Sequence, residues 1–124
     1  VRTATALSEA GLHPATGGDG TQLCSGDMLL EALVACAGVT LRAVATALDL
    51  QVSGTVHAEG DLDFRGTLGV AKDAPVGFRD IRLSFALDTT ADADQIATLM
   101  KLTERYCVVL QTIVSSPNTD VTVT

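Results

Sequence analysis

The sequence predicts an α+β domain in which one long, buried central helix packs on an antiparallel β-sheet. Three patterns predict it: an almost continuous apolar stretch at residues 27–48, alternation of apolar and polar residues at 51–88, and a second helical pattern at 91–106. The chain has 124 residues, of which 47 % are hydrophobic, which suits one domain with a packed core. We therefore treat residues 1–124 as a single domain.

The stretch at 27–48 is predicted to be a helix whose N-terminus Asp27 caps, because a carboxylate suits the positive end of the helix dipole. Its interior is apolar on nearly all sides, which is typical of a helix that is buried on nearly all sides. At about 1.5 Å per residue it would span about 30 Å. One chain of this size can hardly surround such a helix, so we expect a second subunit to cover it.

The alternation at 51–88 predicts a three-stranded antiparallel meander with one face in water. The first strand begins near Val52, and Gly60-Asp61 is expected to form a hairpin turn because glycine supplies the positive φ. The second strand is expected from Leu62 and the third from Ile81.

The C-terminal third of the chain predicts two helices and a strand. The helix at 91–106 takes Thr90 or Asp92 as its N-cap, a short helix follows at 108–114, and Val121 and Val123 indicate a last strand. One face of the first helix carries an apolar stripe made of Ile96, Leu99, Met100, Thr103 and Cys107.

Charge and composition exclude several classes of partner. The formal charge of -7 at pH 7 disfavours binding to nucleic acid or to an anionic membrane. No apolar run reaches the roughly 18–20 residues of a spanning helix, and the first residues do not form a signal peptide. We expect a cytoplasmic protein, trimmed at its N-terminus because Val1 is not an initiator Met.

The cysteines are the candidate reactive groups. Cys24, Cys36 and Cys107 are too few, and odd in number, for a secreted disulfide scaffold. A zinc site is not expected, because the chain has no C-x-x-C motif and His13 and His57 lack ligand spacing. We expect neither a metal nor a cofactor.

Two segments resemble the OsmC/Ohr family. Residues 26–41, GDMLLEALVACAGVTL, are similar to its central helix, which reads roughly P-E-E-L-L-L-A-A-L-A-A-C-x-x-x-T-L. Residues 104–113, ERYCVVLQTI, resemble its second cysteine motif. The glycine pair at 17–18, the meander and the last strand stand in the same order as in the family. The match extends over most of the chain from about residue 8.

The resemblance implies an OsmC-like fold in an intertwined homodimer and a function in oxidative-stress defence. It implies that Cys36 is the catalytic nucleophile that attacks an organic hydroperoxide. Cys107 would resolve the resulting sulfenic acid to a disulfide, which a dithiol reductant then reduces.

The chain departs from the family at three positions. Ser25-Gly26 stands in place of the family's Pro-Glu, with Asp27 as a stand-in for the glutamate, and Val108 stands where many members have Pro. The family's activating arginine lies in N-terminal strands that the sequence does not obviously contain.

A peroxidatic cysteine must be a thiolate, so Cys36 requires a group that lowers its pKa from about 8.5. The dipole of its own helix acts within the first turn and does not reach it. Arg42 and Arg105 point away from the cysteines on their own helices and would act across a helix or subunit contact, and Arg2 is a further candidate. The expected neighbours of Cys36 form an apolar wall with one hydroxyl, which favours an alkyl hydroperoxide over hydrogen peroxide: Leu29, Ala32, Leu33, Val39 and Thr40.

Alternative interpretations remain open. Cysteines often serve in core packing alone, and this is the favoured interpretation of Cys24. His57 is expected on the wet face of a strand, with a Cys36–His57 dyad as a minor alternative. The main rival function is an OsmC-like protein that binds a small hydrophobic ligand at the dimer interface without turnover. A weaker one is a purely structural dimerisation module.

Overall fold

The computed structural model describes residues 7–124, so the candidate cation Arg2 lies outside the described residues. The order of elements is β1 (Ala10–Gly11), a 3-10 turn (Pro14–Thr16), β2 (Leu23–Cys24), α1 (Ser25–Ala47), β3 (Val52–Leu62), α2 (Phe64–Thr67), β4 (Phe78–Thr89), α3 (Ala93–Tyr106) and α4 (Val108–Val114). The predicted α+β class is confirmed, with the long helix α1 packed on an antiparallel sheet.

The chain forms two compact units. The first comprises the described residues up to Ala32 together with residues 57–84, and the second comprises residues 33–56 and 85–124. Within the first unit, β1 pairs in parallel with β2, with Ala10 opposite Leu23. The strands β3 and β4 pair with each other.

The long helix was predicted closely, although it begins two residues earlier than expected. Asp27 therefore lies in the first turn of α1 and is not its cap. The buried residues of α1 recur every fourth position and form a single stripe, namely Leu33, Ala37, Leu41 and Ala45. The other faces remain accessible, and Val39 is 68 % exposed.

By length and composition α1 is also apolar enough to cross a bilayer, so the sequence criterion that excluded a spanning run was too strict. The core helix of a soluble protein passes the same test, which makes this weak evidence for a membrane span.

The predicted hairpin turn at Gly60-Asp61 is wrong, because β3 continues through both residues to Leu62. Gly60 serves a close approach instead. A Cβ on Gly60 would lie 2.6 Å from the ring of Phe78, so only glycine leaves room for that ring. The alternation of half-buried and exposed residues along β3 and β4 agrees with the predicted single wet face.

The predicted middle and final strands are also wrong. Asp63 ends the strand pattern, because its carboxylate accepts the Arg65 N–H at 3.0 Å and caps the short helix α2. Residues 115–124 form no strand, and Val121 is 93 % exposed. An alternating pattern yields a strand only where a neighbouring strand accepts its backbone hydrogen bonds, and here the segment has none among the described residues.

The two C-terminal helices match the prediction. Asp92 caps α3 in a capping box, in which it accepts the Gln95 N–H at 2.8 Å. The stripe on α3 faces the core of the second unit, where Leu99 packs with Leu41 and Ala45 of α1. Because this core holds α1 against α3, it also determines how the cysteines on these helices are placed.

Candidate redox site

In the second unit, Cys36 and Cys107 are free thiols, and an interaction between their side chains shifts the pKa of each. Cys36 lies in the middle of α1, next to the buried stripe, and is half-buried. Cys107 lies between α3 and α4, and only 1 % of its surface is exposed. Cys36 adjoins the buried stripe of α1, and Cys107 follows the buried face of α3. The packing of Leu99 against Leu41 and Ala45 holds these two helices together.

Hydrogen bonds lower the pKa of Cys36 below its ordinary value. The largest contribution comes from the backbone N–H of Val109, and partial burial opposes it. Smaller contributions come from the Cys107 thiol, from the Thr40 hydroxyl, whose Oγ1 lies 4.0 Å from the Cys36 Sγ, and from the Val108 N–H. Hydrogen-bond donors directed at the sulfur stabilise its charged form, so Cys36 ionises more readily than an ordinary cysteine.

Cys107 has the opposite tendency. Burial raises its pKa, and the hydrogen bond to Cys36 and the negative charge on that sulfur raise it further. The N–H groups of Leu110 and Val109 partly oppose this rise. The pKa values of the two thiols are therefore shifted in opposite directions, which is the order that a nucleophile and a second, later-reacting thiol require.

The donors to Cys36 are available because α4 begins with unused amides. Cys107 is the N-cap residue of α4 and makes no side-chain cap hydrogen bond. The first backbone hydrogen bond of α4 is donated by the Gln111 N–H to the Cys107 carbonyl, at 2.9 Å. The N–H groups before Gln111 have no acceptor within α4 and can point at another group.

Among the described residues, the groups that lower the pKa of Cys36 are hydrogen-bond donors, whereas the sequence suggested a cation. The Arg105 guanidinium lies over the ring of Tyr106, 5.6 Å from its centroid. Arg42 is exposed and lines a cleft of about 560 Å³ between α1 and β3. Reasoning along single helices missed the amides of Val108 and Val109, because they reach Cys36 from another helix.

We expect Val108→Pro to raise the pKa of Cys36 without unfolding the protein. Proline is favoured at the first position of a helix and lacks the N–H, and the extended backbone of Cys107 (φ −75°, ψ 104°) suits a residue before proline. The Val109 N–H still donates, so the pKa of Cys36 should rise only part of the way to that of an ordinary cysteine. The measurement is the pH dependence of Cys36 alkylation, whose midpoint in the wild type should lie below that of an ordinary cysteine.

Val108→Ala is the matched control, because it shortens the same side chain and keeps the N–H. An equal midpoint in all three proteins would show that this amide does not act on Cys36.

The other candidate residues belong to the first unit. Cys24 is half-buried and, with His13 and Asp27, lines a small cavity of about 200 Å³ in the first unit. His57 is exposed as expected, with Nε2 3.8 Å from the Glu59 carboxylate. None of these described residues is paired with a second thiol, as Cys36 is with Cys107.

Arg65 and Arg82 form ion pairs on the surface of the first unit. Arg65 binds Asp63 at 2.7 Å and lowers the pKa of that carboxyl to about 2. Arg82 bridges Glu59 and Asp61.

The fold and the thiol pair define a class of α+β proteins in which a long apolar helix carries one cysteine and a following helix pair carries the second. The chain belongs to the OsmC-like protein family, whose model matches residues 18–122. The resemblance noted in the two cysteine motifs is therefore confirmed at the level of the family.

Solved structures agree with the fold. The chain is similar to an OsmC-like protein from Mycoplasma pneumoniae, with 18 % identity and a TM-score of 0.67 over 78 % of this chain and 66 % of that one. It is also similar to an OsmC-like protein of unknown function from Vibrio cholerae, with 15 % identity and a TM-score of 0.58 over 83 % of this chain and 69 % of that one. The chain thus spans slightly less than two thirds of the length of the Mycoplasma protein. No curated protein matches the chain.

Proposed function

We propose that this protein reduces organic hydroperoxides through the thiols of Cys36 and Cys107 and so acts in oxidative-stress defence. The feature that supports this most is that Cys36, whose pKa is lowered, interacts with the buried thiol of Cys107, whose pKa is raised. A lone packing cysteine would require neither the amide donors nor the second thiol.

The proposed reaction has two steps on the protein. The Cys36 thiolate attacks one peroxide oxygen, so that an S–O bond forms and the O–O bond breaks. The leaving alkoxide takes the proton of the Cys107 thiol and departs as an alcohol. Cys36 is then a sulfenic acid, and the new Cys107 thiolate attacks its sulfur to form the disulfide and release hydroxide, which solvent protonates to water.

A dithiol reductant completes the cycle. It transfers two electrons and two protons to the disulfide, restores both thiols and becomes a disulfide itself. No metal or organic cofactor is needed for this sequence of steps.

The surroundings of Cys36 favour an alkyl hydroperoxide as substrate. Leu33 lies one helical turn before Cys36 and is fully buried, while Val39 lies one turn after it and is 68 % exposed. Apolar side chains can hold the alkyl group of the substrate, whereas hydrogen peroxide gains nothing from them.

We also propose that the protein works as a cytoplasmic homodimer. The exposed apolar positions of α1 support a second copy as their cover, since large exposed apolar patches mark interaction sites. The charge of -7 supports a protein that binds neither nucleic acid nor an anionic membrane.

Steady-state kinetics with a dithiol reductant test the function. We expect turnover of an alkyl hydroperoxide such as cumene hydroperoxide, with a higher kcat/KM than for hydrogen peroxide. A higher kcat/KM for hydrogen peroxide would contradict the apolar substrate, and no turnover of either peroxide would contradict the function.

A second candidate function is binding of a small hydrophobic ligand without turnover. The cleft of about 560 Å³ in the second unit favours it, because Leu41, Ala45 and Leu87 supply apolar surface there and Arg42 a polar group. Cys36 does not line this cleft. Saturable binding of an apolar fluorescent dye, undisturbed by alkylation of the cysteines and accompanied by no peroxide consumption, would favour this alternative.

A further inference from the structure

At the junction between α3 and α4, the carbonyl of Glu104 accepts its hydrogen bond from a side chain and not from the helix backbone. In an unbroken helix the N–H of Val108 would donate to the carbonyl of Glu104, four residues earlier. Here Cys107 takes an extended conformation, with ψ at 104°, and α3 ends at Tyr106. The Glu104 carbonyl instead accepts a hydrogen bond from the Gln111 side chain, with Nε2 2.8 Å from the oxygen.

This hydrogen bond links the first turn of α4 to the last turn of α3. Gln111 donates twice across the junction, from its backbone N–H to the Cys107 carbonyl and from its side chain to the Glu104 carbonyl. The Cys107 N–H still donates to the Thr103 carbonyl at 3.0 Å, so the bend is held from both sides. With Glu104 served by Gln111, the Val108 N–H is left to point at another acceptor.

We propose that Gln111 is a positioning residue that holds the amides at the start of α4 toward Cys36. Gln111 touches neither sulfur and acts through the orientation of α4. This role rests on the proposed function of Cys36 as a nucleophile, but the orientation itself is measurable without any peroxide.

The exposure of Gln111 makes the role testable. An exposed side-chain hydrogen bond contributes little to global stability, so its removal should leave the melting temperature nearly unchanged. A change in the reactivity of Cys36 would then report on orientation and not on loss of the fold.

The test compares three variants by the pH dependence of Cys36 alkylation with iodoacetamide, with the Cys36 peptide followed by mass spectrometry. Gln111→Met keeps the length of the side chain and loses the donor. Gln111→Arg keeps a donor long enough to reach the Glu104 carbonyl. Thr112→Val is the matched control, since it removes a hydrogen bond of 2.8 Å to the Val108 carbonyl within α4 itself.

We expect Gln111→Met to move the midpoint of Cys36 alkylation upward and to slow alkylation at pH 7 severalfold. Gln111→Arg and Thr112→Val should stay near the wild type. An unchanged midpoint in Gln111→Met would overturn the proposal, and so would an equal rise in Thr112→Val or in Gln111→Arg. Alkylation requires no hydroperoxide, so the two proposals can fail separately. If the alkylation midpoints shift as expected but the wild type shows no peroxidase turnover, the proposed function is rejected and the role of Gln111 stands.

Discussion

Cys36→Ser is expected to lower kcat/KM for an alkyl hydroperoxide by on the order of 10³-fold or more, to the level of the reductant alone. A serine hydroxyl remains protonated at neutral pH even with the amides of Val108 and Val109 directed at it, so the variant has no anion to attack the peroxide. Consumption of cumene hydroperoxide in the presence of a dithiol measures the loss.

Cys24→Ser is the matched control for this prediction, because it makes the same chemical change at the third cysteine, which belongs to the first unit. We expect it to retain turnover near the wild-type value. Loss of activity in Cys24→Ser, with retention in Cys36→Ser, would show that the nucleophile is Cys24 and not Cys36.

Cys107→Ser should separate the first oxidation from the catalytic cycle. Cys36 keeps its amide donors and a hydroxyl in place of the Cys107 thiol, so one equivalent of hydroperoxide should still be consumed. Without a second sulfur held beside Cys36, the sulfenic acid must wait for an external thiol, and turnover should fall by about 10²-fold or more. The sulfenic acid should accumulate on Cys36, where dimedone traps it.

The single-turnover result also checks that the Cys107→Ser protein is folded, because position 107 is buried and a poorly folded variant would lose the first oxidation too. Turnover equal to that of the wild type would contradict a resolving role for Cys107. Absence of the first oxidation in a protein that melts normally would contradict the assignment of Cys36 as nucleophile.

The sequence predicted the elements that have a long apolar pattern and whose ends are set by neighbouring residues in the chain. The helices α1, α3 and α4 follow from apolar periodicity, and the Asp92 cap follows from its own side chain and Gln95. Gly60 was misread because a glycine that makes room for Phe78 and a glycine that makes a turn look alike in sequence. The final strand was misread because alternation at Val121 and Val123 does not show whether a partner strand exists.

The site was predictable in part for a similar reason. Both cysteines lie in motifs with a recognisable spacing, although Cys36 lies beside the buried stripe of α1 and Cys107 lies at the bend between α3 and α4. The groups that lower the pKa of Cys36 are backbone amides brought from α4 by the bend at Cys107, and no side-chain pattern encodes them. The one sequence signal was Val108, which carries an N–H where many family members have proline.

The pairing of Cys36 with Cys107 is the central claim, and one measurement tests it most directly. Fully reduced protein is treated with one equivalent of an organic hydroperoxide, and its thiols are then mapped by mass spectrometry. The account predicts a disulfide between Cys36 and Cys107, with Cys24 still free. Unreacted thiols at both positions 36 and 107 would contradict it.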